Sequence, residues 1–311
     1  MSLEAIYVVR HGFRSNWVVD LKTGEYSSSI PTPTGIPSDP ALASKGITQS
    51  QELAAHLSTL SPPIQRFYSS PFYRCIQTIS PTLQALSSTT TDPEAQKIRG
   101  ENGLGEWYGT ARFDHPSPAN SSVLKSLFPA FDEDYTPVIR PSVNGETISD
   151  LHDRTAYALH RVIERSDREG VKAIVICTHA ATLIAIGRAL TGRAPEDWSE
   201  EDFKPFTCGL TTFVRRVGEK GGRVEREVGD WEGPETAIPT VEWKGGNGVG
   251  GGWDVTGNGD CSFLSEGEER GWHFAGDESF DTTPALDAGS ALGVVVESKK
   301  GPTIPASSSR L

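Results

Sequence analysis

An open α/β fold is what the sequence predicts, and three observations carry the prediction. Residues 6–9 (IYVV) and 173–177 (AIVIC) read as fully buried strands, being runs of β-branched and aliphatic side chains without polar interruption. Each run ends close to a histidine, His11 and His179, and the second leads directly into a helical pattern. A third run, residues 64–69, passes through Ser70-Pro71 into another helix. In sheets of this kind ligands sit just beyond the carboxyl ends of the strands, so both histidines stand where a ligand would be met.

Composition sets the limits. A chain of 311 residues suffices for one large α/β domain with appendages, or for two small domains. The hydrophobic share of 36%, with 32 glycines and 21 prolines, implies that part of the chain lies outside the core. A net charge of -12 argues against direct nucleic-acid binding, because no basic field is present to displace counterions. Any anion site must therefore be local and set into an acidic surface. Cys75, Cys177, Cys208 and Cys261 lack the close spacing of a zinc ribbon or a redox pair, which fits a reducing compartment. The chain has no apolar run of about 18 residues and no basic-then-apolar leader, so no membrane partner and an intracellular location are expected.

The elements follow in order. After the first strand comes Arg10-His11-Gly12-Phe13-Arg14, where glycine lets the backbone turn sharply and two guanidinium groups flank the imidazole. Residues 17–43, rich in Ser, Thr, Pro and Gly, read as a long loop inserted beside the strand terminus. A helix opens at Ser44, with Leu53, Leu57 and Leu60 on one apolar face and His56 beside it in a structural role. In the helix after residues 64–69, Ser70 is the expected N-cap and Pro71 the first helical residue. Arg74 then falls in the first turn, where free backbone N–H groups already favour an anion. Pro81 should kink or end this helix.

Glu106 lies in Gly103-Leu104-Gly105-Glu106-Trp107-Tyr108-Gly109, between glycines and aromatics. That apolar setting is expected to raise its pKa towards that of a general acid. Residues 110–145 read as an irregular insertion with short helical pieces. A long helix begins at Glu146-Thr147, with Ile148, Leu151, Leu159, Val162 and Ile163 inside and Arg154, Arg161 and Arg165 mainly outside. The helix through residues 183–190 stops at Gly192, and residues 211–217 form another strand. Residues 219–275 are too glycine-rich for regular packing and read as an extension held to the core by Trp231, Trp243, Trp253 and Trp272. Residues 1–275 are thus expected to form one domain, and 276–311 a disordered tail.

Each polar residue alone has a bland reading: a histidine at a strand end is more often structural, and an arginine in a helix is often a surface charge. Together they make a phosphoryl-transfer site. His11 is suited to attack phosphorus, Arg10, Arg14 and Arg74 to hold the equatorial oxygens, His179 to donate to them, and Glu106 to protonate the leaving oxygen. No metal-ligand spacing is present and no cofactor is expected.

Arg10-His11-Gly12, Ser69-Ser70-Pro71 with Arg74, and Thr178-His179, in that order, resemble the motifs of the histidine phosphatase superfamily, the phosphoglycerate mutase-like fold. The resemblance implies a three-layer α/β/α sandwich on a mostly parallel sheet, a nucleophile at His11, a phosphate pocket of Arg10, Arg14, Arg74 and His179, and an acid at Glu106. Within the superfamily, residues 10–17, 70–75, 105–108 and 178–181 are similar to the tau-type subunits of fungal transcription factor IIIC. That likeness covers roughly residues 4–275. It implies subunits of that factor as partners and a nuclear or cytoplasmic location. Where many members have glycine after the second histidine, this chain has Ala180.

An active phosphatase on a phosphorylated small molecule or phosphoprotein is the first expectation. Phosphoglycerate mutase activity fits less well, since Phe13 stands where mutases tend to carry a small polar or acidic residue. The remaining alternative is a scaffold subunit with weak or vestigial hydrolysis.

Overall fold

The computed structural model describes residues 2–216 and 228–275. Its main sheet has six strands: β1 (Ala5–Arg10), β4 (Arg66–Ser69), β5 (Ile98–Gly100), β6 (Ala173–Thr178), β7 (Leu210–Arg215) and β8 (Trp253–Asp260). The order across the sheet is β5-β4-β6-β1-β7-β8. The four strands from β5 to β1 run parallel; β7 is antiparallel to β1, and the edge strand β8 is antiparallel to β7.

Both sheet faces are covered, which is why the strands lack polar alternation. Ile6, Val8, Ile174 and Ile176 pack on α4 (Ile148–Glu169) and α5 (Ala180–Thr191). Tyr7, Val9, Val175 and Cys177 point the other way, towards α1 (Ser44–Leu57) and α2 (Tyr73–Ser87). The result is the three-layer sandwich with a mostly parallel sheet. Thr147 and Asp150 form a capping box at the start of α4, and Gly192 closes α5 in the left-handed region at φ 80°.

Three local expectations fail, and a fourth, for Pro81, fails as to the helix ending there, each for a physical reason. Residues 17–43 are not all loop: β2 (Val18–Asp20) and β3 (Glu25–Ser27) pair as a hairpin, anchored by buried Trp17 and Val19. Ser70 does not cap α2, because it lies too close to the sheet; the N-cap is Phe72, and the Ser70 hydroxyl turns to His179. Pro81 does not end α2, which continues to Ser87 because Ile76, Ile79 and Leu83 are buried against α1 and the sheet. The Ser80 hydroxyl bonds the Ile76 carbonyl at 2.7 Å beside the proline. Arg154 is buried rather than outside; the Glu146 carboxylate accepts bonds from its Nε and Nη2, and the Gly103 carbonyl from its Nη1.

The glycine-rich extension is also more regular than its composition implied. Its glycines at 245–252 form turns at positive φ, and β8 follows immediately, pairing with β7 and burying Trp253. Trp243 is buried as well. A short helix, α3 (Ser121–Leu127), lies within the 110–145 insertion. The expected tail at 276–311 and the end of the strand at Val217 lie outside the described residues.

Candidate active site

Sheet register builds the site. Pairing of β1 with β6 sets Arg10 opposite Thr178, so the next residue of each strand, His11 and His179, must emerge side by side. The His11 N–H donates to the Thr178 carbonyl at 3.0 Å and locks the two ends together. The ring centroids are 5.3 Å apart at 66°. Strand β4, on the other side of β6, delivers Ser70 and the start of α2, and with it Arg74.

The two imidazoles are in opposite electrostatic states. His11 is buried among Arg74, His179, Arg14 and Arg10; burial first and those charges next hold its pKa well below the ordinary value. It is therefore a neutral ring. Its Nδ1 lies 2.9 Å from the Gly12 carbonyl, which assigns the proton to Nδ1 and the lone pair to Nε2. Burial opposes protonation of His179 too, but Cys75 and Glu106 outweigh it and raise the pKa. The His179 Nδ1 stands 3.0 Å from Glu106 Oε2, and Nε2 stands 2.7 Å from Ser70 Oγ.

Glu106 departs from the sequence expectation. Burial does push its pKa upward, but His179, Arg74 and Arg14 together overcome that and hold it below the usual carboxylate range. Arg74 Nη2 donates to Glu106 Oε2 at 3.0 Å. Apolar neighbours in sequence were visible; the cations converging from β6, α2 and the loop after β1 were not. The loop carrying Glu106 is fixed by Thr178 Oγ1 and Thr182 Oγ1, which bond the Leu104 and Gly105 carbonyls at 2.6 and 2.7 Å.

All three predicted arginines are here. Arg74 is fully buried, donating to the Ser38 carbonyl at 2.9 Å and facing Asp39 Oδ1 at 3.4 Å. Burial pushes Asp39 up to about 6 despite that arginine. The Arg14 guanidinium lies 3.8 Å over the Trp17 ring. Arg10 donates to the carbonyls of Pro205 and Arg270, and burial lowers its pKa to about 10. Buried Nε groups of all three arginines have no protein partner, as expected of a cage for a polyoxygen anion.

Sequence reading missed several supports: Ser38 and Asp39 behind Arg74, Trp17 beneath Arg14, and Thr78, whose Oγ1 accepts from the Gly12 N–H at 3.0 Å. None carries a spacing signal, because each meets its partner across the fold. His11, Glu106 and His179 also offer donor atoms within 4.8 Å of one another, enough to hold a metal ion. The surrounding guanidinium groups and the raised His179 make the field favour an anion over a dication.

Residues 6–228 match the family model of the histidine phosphatase superfamily (branch 1). The chain belongs to that superfamily. Among curated proteins it is 32% identical over 282 residues to the transcription factor tau 55 kDa subunit of Saccharomyces cerevisiae, covering 88% of this chain and 59% of that protein. It is 28% identical over 213 residues to the ecdysteroid-phosphate phosphatase of Drosophila melanogaster, covering 63% of this chain and 28% of that one. The chain thus spans between about a quarter and three fifths of these relatives. A solved structure of the Bombyx mori ecdysone phosphate phosphatase with tungstate aligns at TM-score 0.49 and 21% identity, covering 71% of this chain and 97% of that one. A phosphoglycerate mutase from Bacillus anthracis aligns at TM-score 0.46 and 15% identity, covering 86% and 97%.

Proposed function

We propose that the chain is a metal-independent phosphomonoester phosphatase acting through a phosphohistidine at His11. The observation that carries the reading is a neutral imidazole 5.3 Å from a second, cationic one, inside a cage of three arginines. Arg10, Arg14, Arg74 and His179 bind the phosphoryl oxygens. His11 Nε2 attacks phosphorus in line, the bond from phosphorus to the ester oxygen breaks, and Glu106 gives that oxygen its proton. Glu106 then takes a proton from water, whose oxygen displaces His11 and releases inorganic phosphate. The cations supply the electrostatic stabilisation that a divalent ion gives elsewhere.

Glu106 is ionised beside Arg74 and His179 in the free protein. A phosphoryl dianion seated on those cations offsets their pull, and the carboxyl pKa rises towards the range an acid needs. Substrate and proton arrive together.

The test is hydrolysis of p-nitrophenyl phosphate at mildly acidic pH. Wild type turns over, and His11→Ala loses at least about a thousandfold in kcat/KM while keeping its circular dichroism spectrum. A folded wild type without turnover sinks the proposal. The likeness to the tau subunit supports a second reading, a nuclear structural role among transcription factor IIIC subunits with weak hydrolysis. Affinity purification from native extract then recovers those subunits, and their absence counts against it.

A further inference from the structure

The phosphate cage does not end with the residues that the superfamily match covers. Residues 261–275 lie beyond that match, yet they return as a strap across the loop after β1. Lys45 of α1 pairs with Glu266 and Glu269 at 2.6 and 3.0 Å. Gln49 donates to Glu269 Oε2 at 3.1 Å and accepts from the Phe13 N–H at 2.9 Å. Among the described residues only Cys208 and Arg270 combine a side chain with positive φ, 56° and 50°. Both hold Arg10: the Cys208 N–H donates to its carbonyl at 3.0 Å, and the Arg270 carbonyl accepts from its guanidinium. Strained backbone on both sides of one residue marks a position the fold over-determines.

The Arg270 side chain is exposed at the rim. Its guanidinium lies 3.9 Å over the Phe13 ring, and Nη1 reaches the Arg14 carbonyl at 3.2 Å and Asn16 Oδ1 at 3.4 Å. Among the described residues no carboxylate forms an ion pair with it. The Arg270 charge is close enough to the cage to act on both Arg10 and Arg14, lowering the pKa of each. That guanidinium stands over Phe13 and beside Arg14, next to the phosphate cage, as a fork that suits a carboxylate or phosphate.

We infer that Arg270 is a specificity residue for phosphomonoesters whose leaving group carries a second anionic group. This rests on the phosphatase reading for the position of the first anion. The test compares phenyl phosphate with 3- and 4-carboxyphenyl phosphate at fixed ionic strength, in wild type, Arg270→Ala, Arg270→Glu and Arg270→Lys. The readout is the ratio of kcat/KM between a carboxylated and the plain substrate. Arg270→Ala lowers that ratio about fivefold, as expected for losing one exposed charge pair, Arg270→Glu lowers it further, and Arg270→Lys restores part of it. A ratio unchanged by Arg270→Ala, with both substrates falling together or neither falling, overturns the inference. Calorimetry with phenylphosphonate and its carboxylated analogues reads the same preference without turnover. Should wild type hydrolyse neither ester, the phosphatase reading fails. The inference then fails only if wild type and Arg270→Ala show the same phosphonate preference.

Discussion

In the proposed mechanism Glu106 is the residue on which the chemistry turns, because a carboxylate held this far below its usual range is a poor acid until another anion takes its partners. Glu106→Gln keeps the contact to Arg74 but has no proton to give. Its kcat should fall about a hundredfold for phenyl phosphate and much less for p-nitrophenyl phosphate, whose leaving oxygen needs little help. Equal losses for both esters would remove the acid role. In the same mechanism His179 sets the pH dependence. Its pKa is raised, so the cation is complete below the ordinary histidine value and disappears as pH climbs through the raised one. The kcat/KM profile between about pH 5 and 9 should therefore hold on the acid side and fall towards alkali, with the falling limb missing in His179→Gln. His11 contributes no acid limb in this range, since it is already neutral.

At the scale of elements, the loop after β1 rests directly on the first helix. A Cβ on Gly46 would stand 2.1 Å from the Phe13 carbonyl oxygen, a backbone atom with no rotamer to move aside. Gly46→Ala should cost about 1–3 kcal/mol, against a helix-propensity gain of about 1 kcal/mol, and lower kcat as well. Thermal denaturation and steady-state assays on the same preparation check both. The strand ends were legible from sequence because Arg-His-Gly, Ser-Pro and Thr-His-Ala each sit within a few residues of a buried apolar run. The charge state of Glu106 was not, since it depends on Arg14, Arg74 and His179, which only folding brings together. Nor was the burial of Arg154, whose partners Glu146 and Gly103 give no helical periodicity. Strand β8 was hidden by the glycine turns before it, and its pairing with β7 belongs to sheet geometry rather than local propensity.

For the whole molecule, the acidic chain holds a cationic site whose parts lie far apart in the sequence. The loop after β1, helix α1 and the 261–275 strap meet through Gly46, Gln49, Lys45, Glu269 and Arg270, while the sheet beneath is secured by its two apolar layers. Polar and partly exposed bonds of this sort open at lower free energy than buried strands. In a urea titration, hydrolysis should vanish at a lower concentration than far-ultraviolet ellipticity, and the interval should widen in Lys45→Ala. Coincident curves would mean that strap and sheet melt as one.

The backbone contact at Gly46 has a mechanical corollary. With no side chain between them, helix α1 and the turn that carries Phe13 lie backbone against backbone, so any bulk added at that point must part the two.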